Sequence, residues 1–156
     1  MAKIITLTDG KETLVDDEDF EFLNHWKWRN SNGYAKRGSL KNGHFHTVNM
    51  HRVIMHTPDG METDHINGNR LDNRKENLRI CSHSENAYNA PKKISNTSGY
   101  KGVYWDKFNN KWRASITVSN KTVRLGRFIN IIDAVNSYDS AARRYFGEFA
   151  RTNFNE

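Results

Sequence analysis

Residues 62–89 read ETDHINGNRLDNRKENLRICSHSENAYN, and the fold of the amino-terminal half turns on how this stretch is parsed. Thr63-Asp64-His65 ends a short strand, Asn67-Gly68 is a strong turn pair, and Leu78 to Cys81 (LRIC) makes a second short strand. Ser82 stands three residues before Glu85. At that spacing a hydroxyl and a carboxylate each satisfy a backbone N–H at a helix start, which predicts a helix running through Asn86 to Asn89. Strand, long loop, strand and helix make a compact ββα unit.

Upstream, Lys3 to Thr8 (KIITLT) reads as a strand ended by the turn pair Asp9-Gly10. Asp16 to Trp28 opens with acids, as helix N-termini prefer, and its Phe20, Leu23, Trp26 and Lys27 fall near helical spacing. Gly33 to Arg37 and Phe45 to Met50 look like strands around an Asn42-Gly43 turn. Downstream, Ala90 to Ser98 (APKKISNTS) has linker composition. Three strand candidates follow, Lys101 to Trp105, Trp112 to Val118 and Val123 to Phe128, separated by polar segments of hairpin length. Asn130 is placed to cap a helix on which Ala134, Tyr138, Ala141, Ala142 and Tyr145 recur at helical spacing, with Gly147 as its stop. The expected class is α+β: an N-terminal mixed region carrying a ββα-metal unit, then a three-stranded antiparallel sheet packed on one helix. The expected domains are 1–90, a linker at 91–98, and 99–156.

Charge divides the same way. Residues 92–156 hold 12 Lys and Arg against 5 Asp and Glu, whereas residues 1–91 hold 12 against 13. A basic module attached to a near-neutral one points to a polyanion. No segment reaches the roughly 18 consecutive apolar residues of a membrane span, and Met1 to Gly10 lacks the pattern of a signal peptide. Nucleic acid remains, with no membrane partner and a cytoplasmic setting. The single Cys81 reads as a small buried hydrophobe, and no cysteine cluster is available for zinc. The 36% hydrophobic content implies a wet surface, while 12% aromatic residues argue against disorder.

The chemistry lies in the middle. A carboxylate (Asp64) and an amide oxygen (Asn86) are hard ligands suited to Mg²⁺, which keeps several waters and takes few protein ligands. A neutral histidine beside them, His65, can accept a proton from water. An Asp-His dipeptide alone is common and reads as turn polarity; the whole string carries more.

His51-Arg52, Asp64-His65-Ile66-Asn67-Gly68-Asn69, Leu71-Asp72-Asn73, Glu76-Asn77-Leu78-Arg79 and Ser84-Glu85-Asn86 strongly resemble phage HNH homing endonucleases, as do LTDG, VDDEDF and KWR with Gly33-Tyr34-Ala35 nearer the start. The resemblance implies His65 as general base, Asp64 and Asn86 as ligands of one divalent cation (Mg²⁺, with Mn²⁺ as the alternative), and Asn77 as a brace that orients His65. The third motif position is Asn86 rather than His, as in the phage branch. Of the other histidines, His51 reads as bracing this module; His25, His44, His46, His56 and His83 read as solvated or capping groups. Asp16 to Asp19 read as a solvated helix start, and Trp26 and Trp28 as core.

Gly99 to Phe154 resembles the plant ethylene-response-factor DNA-binding domain, on Tyr100-Lys101-Gly102-Val103, Lys111-Trp112, Leu125-Gly126-Arg127-Phe128, Tyr138-Asp139 and Asn153-Phe154. That family lays its sheet in the major groove, which implies double-stranded DNA as the partner of a monomer or weak dimer. Lys101, Tyr104, Trp105, Lys107, Arg113, Thr117, Arg124 and Arg127 are the candidate contacts, with Trp112 beneath against the helix. Tyr104, Asp106, Phe108, Ser115, Thr117 and Thr122 depart from the plant pattern, so phosphate contacts should supply most of the affinity. The reading that follows is a metal-dependent endonuclease that nicks one strand. A non-catalytic DNA-binding regulator is the alternative, and RNA is disfavoured because its deep groove excludes a sheet.

Overall fold

Ile5, Leu7, Thr13 and Val15 alternate along the opening hairpin and all four are buried, so one face of that hairpin is the first wall of a core. The computed structural model describes residues 1–154. Asn155 and Glu156, the end of the expected DNA-binding domain, lie outside the described residues. The class is α+β, and the chain divides into two units, 1–86 and 87–156.

In the first unit, β1 (Ala2–Thr6) pairs antiparallel with β2 (Glu12–Asp16). Helix α1 spans Asp17–Asn24, shorter than the expected Asp16 to Trp28. It stops because the Trp28 indole N–H donates to the Leu23 carbonyl at 2.8 Å, satisfying one of the groups a helix end leaves open. The same bond folds Trp28 into the core. Strands β3 (Arg29–Ser31), β4 (Tyr34–Lys41) and β5 (His44–Asn49) form an antiparallel sheet in that order. Its turns are Asn32-Gly33 and Asn42-Gly43, all four residues with positive φ, the backbone that two-residue hairpin loops require. Met50, expected to end a strand, opens α2 (Met50–Ile54) and turns itself, His51 and Ile54 inward. Strands β6 (Glu62–His65) and β7 (Leu78–Cys81) then pair antiparallel, Asp64 opposite Arg79 and His65 opposite Leu78. Helix α3 (His83–Tyr88) follows. The reciprocal cap is present: Ser82 N donates to Glu85 Oε2 at 2.7 Å and Glu85 N to Ser82 Oγ at 3.3 Å.

The acids at the start of α1 are paired rather than merely solvated. Asp17 meets Lys3, Glu18 and Asp19 meet Lys75, and Asp16 accepts the Lys75 backbone N–H at 2.7 Å. Together with Leu14, whose N–H donates to Leu71 O and whose carbonyl accepts from Asn73 N, both at 2.8 Å, they stitch the opening hairpin to the loop between β6 and β7.

In the second unit, β8 (Val103–Asp106), β9 (Lys111–Val118) and β10 (Lys121–Phe128) make an antiparallel sheet in the order β10-β9-β8. Helix α4 (Ile131–Phe146) covers one face. Val103, Ala114 and Ile116 pack there against Ala134, Val135, Tyr138, Ala142 and Phe146. Asn130 caps α4 through its side chain, accepting from Ile132 N at 2.9 Å. The carboxylate of buried Asp139 accepts from Asn153 N, Asn153 Nδ2 and Phe154 N at 2.8, 2.9 and 3.0 Å, which fastens the end of the chain to α4. Residues 91–98, expected to be a linker, belong to this unit. Within them Asn96 donates to Tyr100 O at 2.8 Å and Ser98 to Val103 O at 2.7 Å. Among the described residues no helix is long and apolar enough to cross a membrane.

Strand β8 starts two residues later than expected because Gly102 has φ +76. A Cβ on Gly102 would lie 2.0 Å from the Tyr138 ring and 2.9 Å from Ser115 O. The substitution Gly102→Ala therefore combines a left-handed backbone with overpacking and should cost about 2–4 kcal/mol. Denaturant unfolding measures it, and a change below about 0.5 kcal/mol, the range of an ordinary surface substitution, would show that this contact does not constrain the fold.

Candidate functional site

Because side chains alternate along a strand, Glu62 and Asp64 share one face of β6, and Thr63 and His65 share the other. On the first face, Asp64 is buried and takes the Arg79 guanidinium on Oδ2, from Nε at 3.0 Å and Nη2 at 2.7 Å. Two residues earlier, Glu62 accepts from Asn86 Nδ2 and meets His83 Nδ1 at 2.7 Å; these contacts hold its carboxyl below the usual range. The start of α3 is thus held against the Glu62 and Asp64 face of the hairpin. The Asn86 amide nitrogen is committed to Glu62, so the donor it offers elsewhere is its oxygen.

On the second face, His65 is 4% exposed. Its Nε2 lies 3.1 Å from Asn73 Oδ1. Asn73 in turn donates from Nδ2 to Thr13 Oγ1 at 2.7 Å, and the Thr13 hydroxyl donates to Leu71 O at 2.8 Å. The direction of this chain is fixed at its far end, since a carbonyl can only accept. The Thr13 oxygen must then accept from the Asn73 amide nitrogen, which turns the Asn73 oxygen toward His65. His65 Nε2 is the donor, and the ring's lone pair is on Nδ1.

Asn77 spans the loop rather than the ring. Its Oδ1 accepts from Asn67 N at 2.9 Å and its Nδ2 donates to Asp72 O at 2.8 Å. Asn67 Nδ2 reaches Asp72 Oδ2 at 3.0 Å, and Asp72 is ion-paired with Arg74 at 2.8 Å. The loop from Ile66 to Asn77 is therefore cross-tied by its own side chains.

Around His65 stand two aromatic neighbours. The His51 ring is 5.1 Å away and nearly perpendicular, and the Tyr34 ring is 6.0 Å away. Burial is the main cause that pushes the His51 pKa down to about 3, with the charges of His65, Arg52 and Lys36 adding to it. Burial likewise lowers His65, opposed by its bond to Asn73 and by Asp64 and Asp72.

Asp64 and Asn86 offer hard oxygen donors, the chemistry that fits Mg²⁺ with water completing the shell. Among the described residues there is no group of three or more His, Cys, Asp or Glu placed to hold a metal, so any ion here would have few protein ligands.

The second unit presents the open face of its sheet. Tyr104 pairs with Arg113, Arg113 with Arg127, Ser115 with Arg124, and Thr117 with Thr122. Arg124 and Arg127 are three residues apart, a spacing that would put them on opposite faces of a regular strand. The register shift between Arg124 and Gly126 brings both to one face. Arg113, Arg124, Gly126 and Arg127 line a cavity of about 230 Å³ there, and Asp106 holds Arg127 at 2.9 Å. Lys107 lies in the exposed β8–β9 turn. Two expected DNA contacts lie elsewhere. Trp105 follows the inward alternation of Val103 and packs edge-on to Trp112, 5.0 Å between ring centres. Lys101 precedes β8, and its ammonium donates to Tyr88 O and Ala90 O at 2.7 and 2.6 Å. Burial brings its pKa down to about 8.

Sequence reasoning missed Thr13, Asn73, Glu62, Tyr34 and Arg70 as neighbours of the site. Asn73 and Arg70 stand within the motif string, where their density with Asp72 was the available signal. Thr13 carries none, because its partner is 60 residues away.

The chain matches a family model described as HNH endonuclease over residues 49–88. It is 36% identical over 94 residues to Protein 3.8 of Escherichia phage T7, covering 60% of this chain and 77% of that protein. It is 27% identical over 147 residues to the Acanthamoeba polyphaga mimivirus protein named Uncharacterized HNH endonuclease L560, covering 92% of this chain and 75% of that protein.

The buried His51 gives a test by pH. Its folded-state pKa lies below its unfolded value of 6.5, so the unfolded chain takes up the proton first. Stability is full above pH 6.5 and falls as the pH drops below it, by about 1.4 kcal/mol per pH unit for this group. Urea unfolding between about pH 7 and pH 5 should show the fall, with a smaller slope in His51→Gln. Equal slopes would mean that His51 is not held neutral.

Proposed function

From the HNH endonuclease match over residues 49–88, we propose that the chain is a metal-dependent DNA endonuclease that nicks one strand of a duplex held by the second unit. The observation that carries this reading is the hydrogen-bond chain ending on His65, which orients the imidazole at the end of β6, with Nε2 as the donor, one residue from a buried carboxylate.

In this reading His65 Nδ1 takes a proton from a water, whose oxygen attacks phosphorus. The P–O bond to the leaving oxygen breaks, and that oxygen keeps the electron pair and takes a proton from solvent. Asp64 and Asn86 hold a divalent cation, Mg²⁺ or Mn²⁺, which when bound neutralises charge developing on the phosphate oxygens. The contact of Asn86 with Glu62, two residues from Asp64 on the same face of β6, supports pairing the two ligands. Asn77 braces the loop so that His65 keeps its position. Burial keeps His65 neutral, the form a base must have.

The second unit resembles an ethylene-response-factor-type module, and its open sheet face is the DNA-binding surface. Tyr104, Arg113, Thr117, Arg124 and Arg127 contact the duplex from that face, and Lys107 from the adjoining turn. Lys101 and Trp105 are left out of the set, Lys101 because its ammonium already donates to Tyr88 O and Ala90 O and Trp105 because alternation sets it on the opposite side of β8 from Tyr104. One catalytic centre per chain favours a nick over a double-strand break.

Supercoiled plasmid with Mg²⁺, Mn²⁺ or EDTA tests the proposal. Wild type should give open circles, EDTA should abolish them, and His65→Ala should lose about 10²–10⁴-fold in rate while still binding DNA. DNA binding without cleavage would favour a regulator, and an active His65→Ala would remove the base from the scheme. For the sheet, replacing Arg113 and Arg124 together by Ala should reduce the slope of log K against log salt by about 2. An unchanged slope in salt-titrated binding would place the duplex elsewhere.

A further inference from the structure

Among the arginines of the first unit, Arg37 and Arg70 are each held by a backbone carbonyl and an aromatic ring, Arg37 on Gly38 O and Trp26 and Arg70 on Asn32 O and Tyr34, the ring beside His65. Arg79 is paired with Asp64, Arg74 with Asp72 and Glu76, and Arg52 donates to the carbonyls of Met61 and Pro58. Among the described residues no carboxylate pairs with Arg70, and it is exposed. Yet it is fixed from three sides by the turn between β3 and β4. Its Nη1 donates to Asn32 O at 3.1 Å. Its guanidinium carbon stands 4.6 Å from the centre of the Tyr34 ring. Its Cδ lies against the turn at Gly33, 3.5 Å from where a Cβ would stand.

Ordering an arginine costs rotamer entropy, and here no ion pair compensates that cost within the unit. A guanidinium anchored by one nitrogen and stacked on a ring keeps its remaining N–H groups directed outward, in the planar fork that matches phosphate oxygens. The same Tyr34 ring lies 6.0 Å from His65, and Lys36 Nζ lies 5.3 Å from the centre of that ring. Positive charge is thereby gathered on the His65 side of β6.

We propose that Arg70 binds the phosphodiester that is cut, taking a non-bridging oxygen on its outward N–H groups and holding phosphorus in reach of the His65 ring. This rests on the nuclease reading above. Tyr34, on whose ring the guanidinium stacks, and Asn32, whose carbonyl accepts from it, are positioning residues for Arg70. The arginine stands five residues after the base, across the Asn67-Gly68 turn, so the loop that seats His65 also delivers the group that seats its substrate.

The test uses the full chain with Mg²⁺ and supercoiled plasmid, comparing wild type, Arg70→Ala, Arg70→Lys and His65→Ala, each with and without added guanidinium ion. Arg70→Ala should lower kcat about 10²-fold, as loss of one charge-stabilising donor does, with KM for plasmid and the thermal midpoint unchanged. Guanidinium should restore part of the rate in Arg70→Ala and none in His65→Ala, and Arg70→Lys should fall between wild type and Arg70→Ala. An Arg70→Ala variant that nicks like wild type would overturn the assignment and leave the nuclease reading standing. A slow Arg70→Ala variant with a lowered midpoint and no response to guanidinium would make Arg70 structural, which also overturns it. A wild type that binds plasmid and leaves it supercoiled would overturn the nuclease reading and this assignment together.

Discussion

The hydrogen bonds from Leu71 O through Thr13 and Asn73 to His65 are the constraint on which the rest of the first unit depends. Three polar side chains are buried along this line, and a buried polar group without a partner costs about 1–3 kcal/mol. Each member therefore needs the next. The line passes through Thr13 on β2 before it reaches His65 on β6, so the opening hairpin is part of the site's foundation. Its direction sets which way the Asn73 amide faces, and that in turn sets which His65 nitrogen carries the proton.

Asparagine recurs in this region for a physical reason. Asn67, Asn69, Asn73 and Asn77 each offer a donor and an acceptor on a short, uncharged stem; Asn67, Asn73 and Asn77 use both and Asn69 its oxygen, tying the loop to itself, to β2 or to His65. A loop made rigid in this way can hold a histidine at a strand end without regular secondary structure. Asp72 adds the ion pair with Arg74 and accepts from Asn67. The loop is long, yet few of its backbone turns are left to chance.

Much of this was legible in the chain itself. The Asn67-Gly68 turn, the Ser82 and Glu85 cap and the Asn130 cap follow from local rules, because the partners lie within a few residues of each other; the β6–β7 strands, whose partners are 13 to 19 residues apart, were legible as short segments on either side of that turn. What escaped the reading depends on distant or irregular geometry. Thr13 meets Asn73 across most of the unit. Helix α1 ends early because Trp28 caps it from beyond its end. Met50 belongs to a helix because the core needs Met50 and His51 turned inward together. Lys101 leaves the sheet because Gly102 must pass under Tyr138. The shared face of Arg124 and Arg127 comes from a register shift that strict alternation does not reveal.

The two units thus contribute different physics: a neutral, rigidly held imidazole in one, and an arginine-lined sheet face in the other. The claim that joins structure to chemistry is the location of the proton on His65. Long-range ¹⁵N–¹H correlation spectra of the histidine rings at neutral pH read it directly, with Thr13→Val assigning the dependence on the buried chain. The structure requires the Nε2–H form in the wild-type protein, with that preference weakened in Thr13→Val. A wild-type ring protonated on Nδ1 would contradict it, since the nitrogen assigned to receive the proton from water would already carry one.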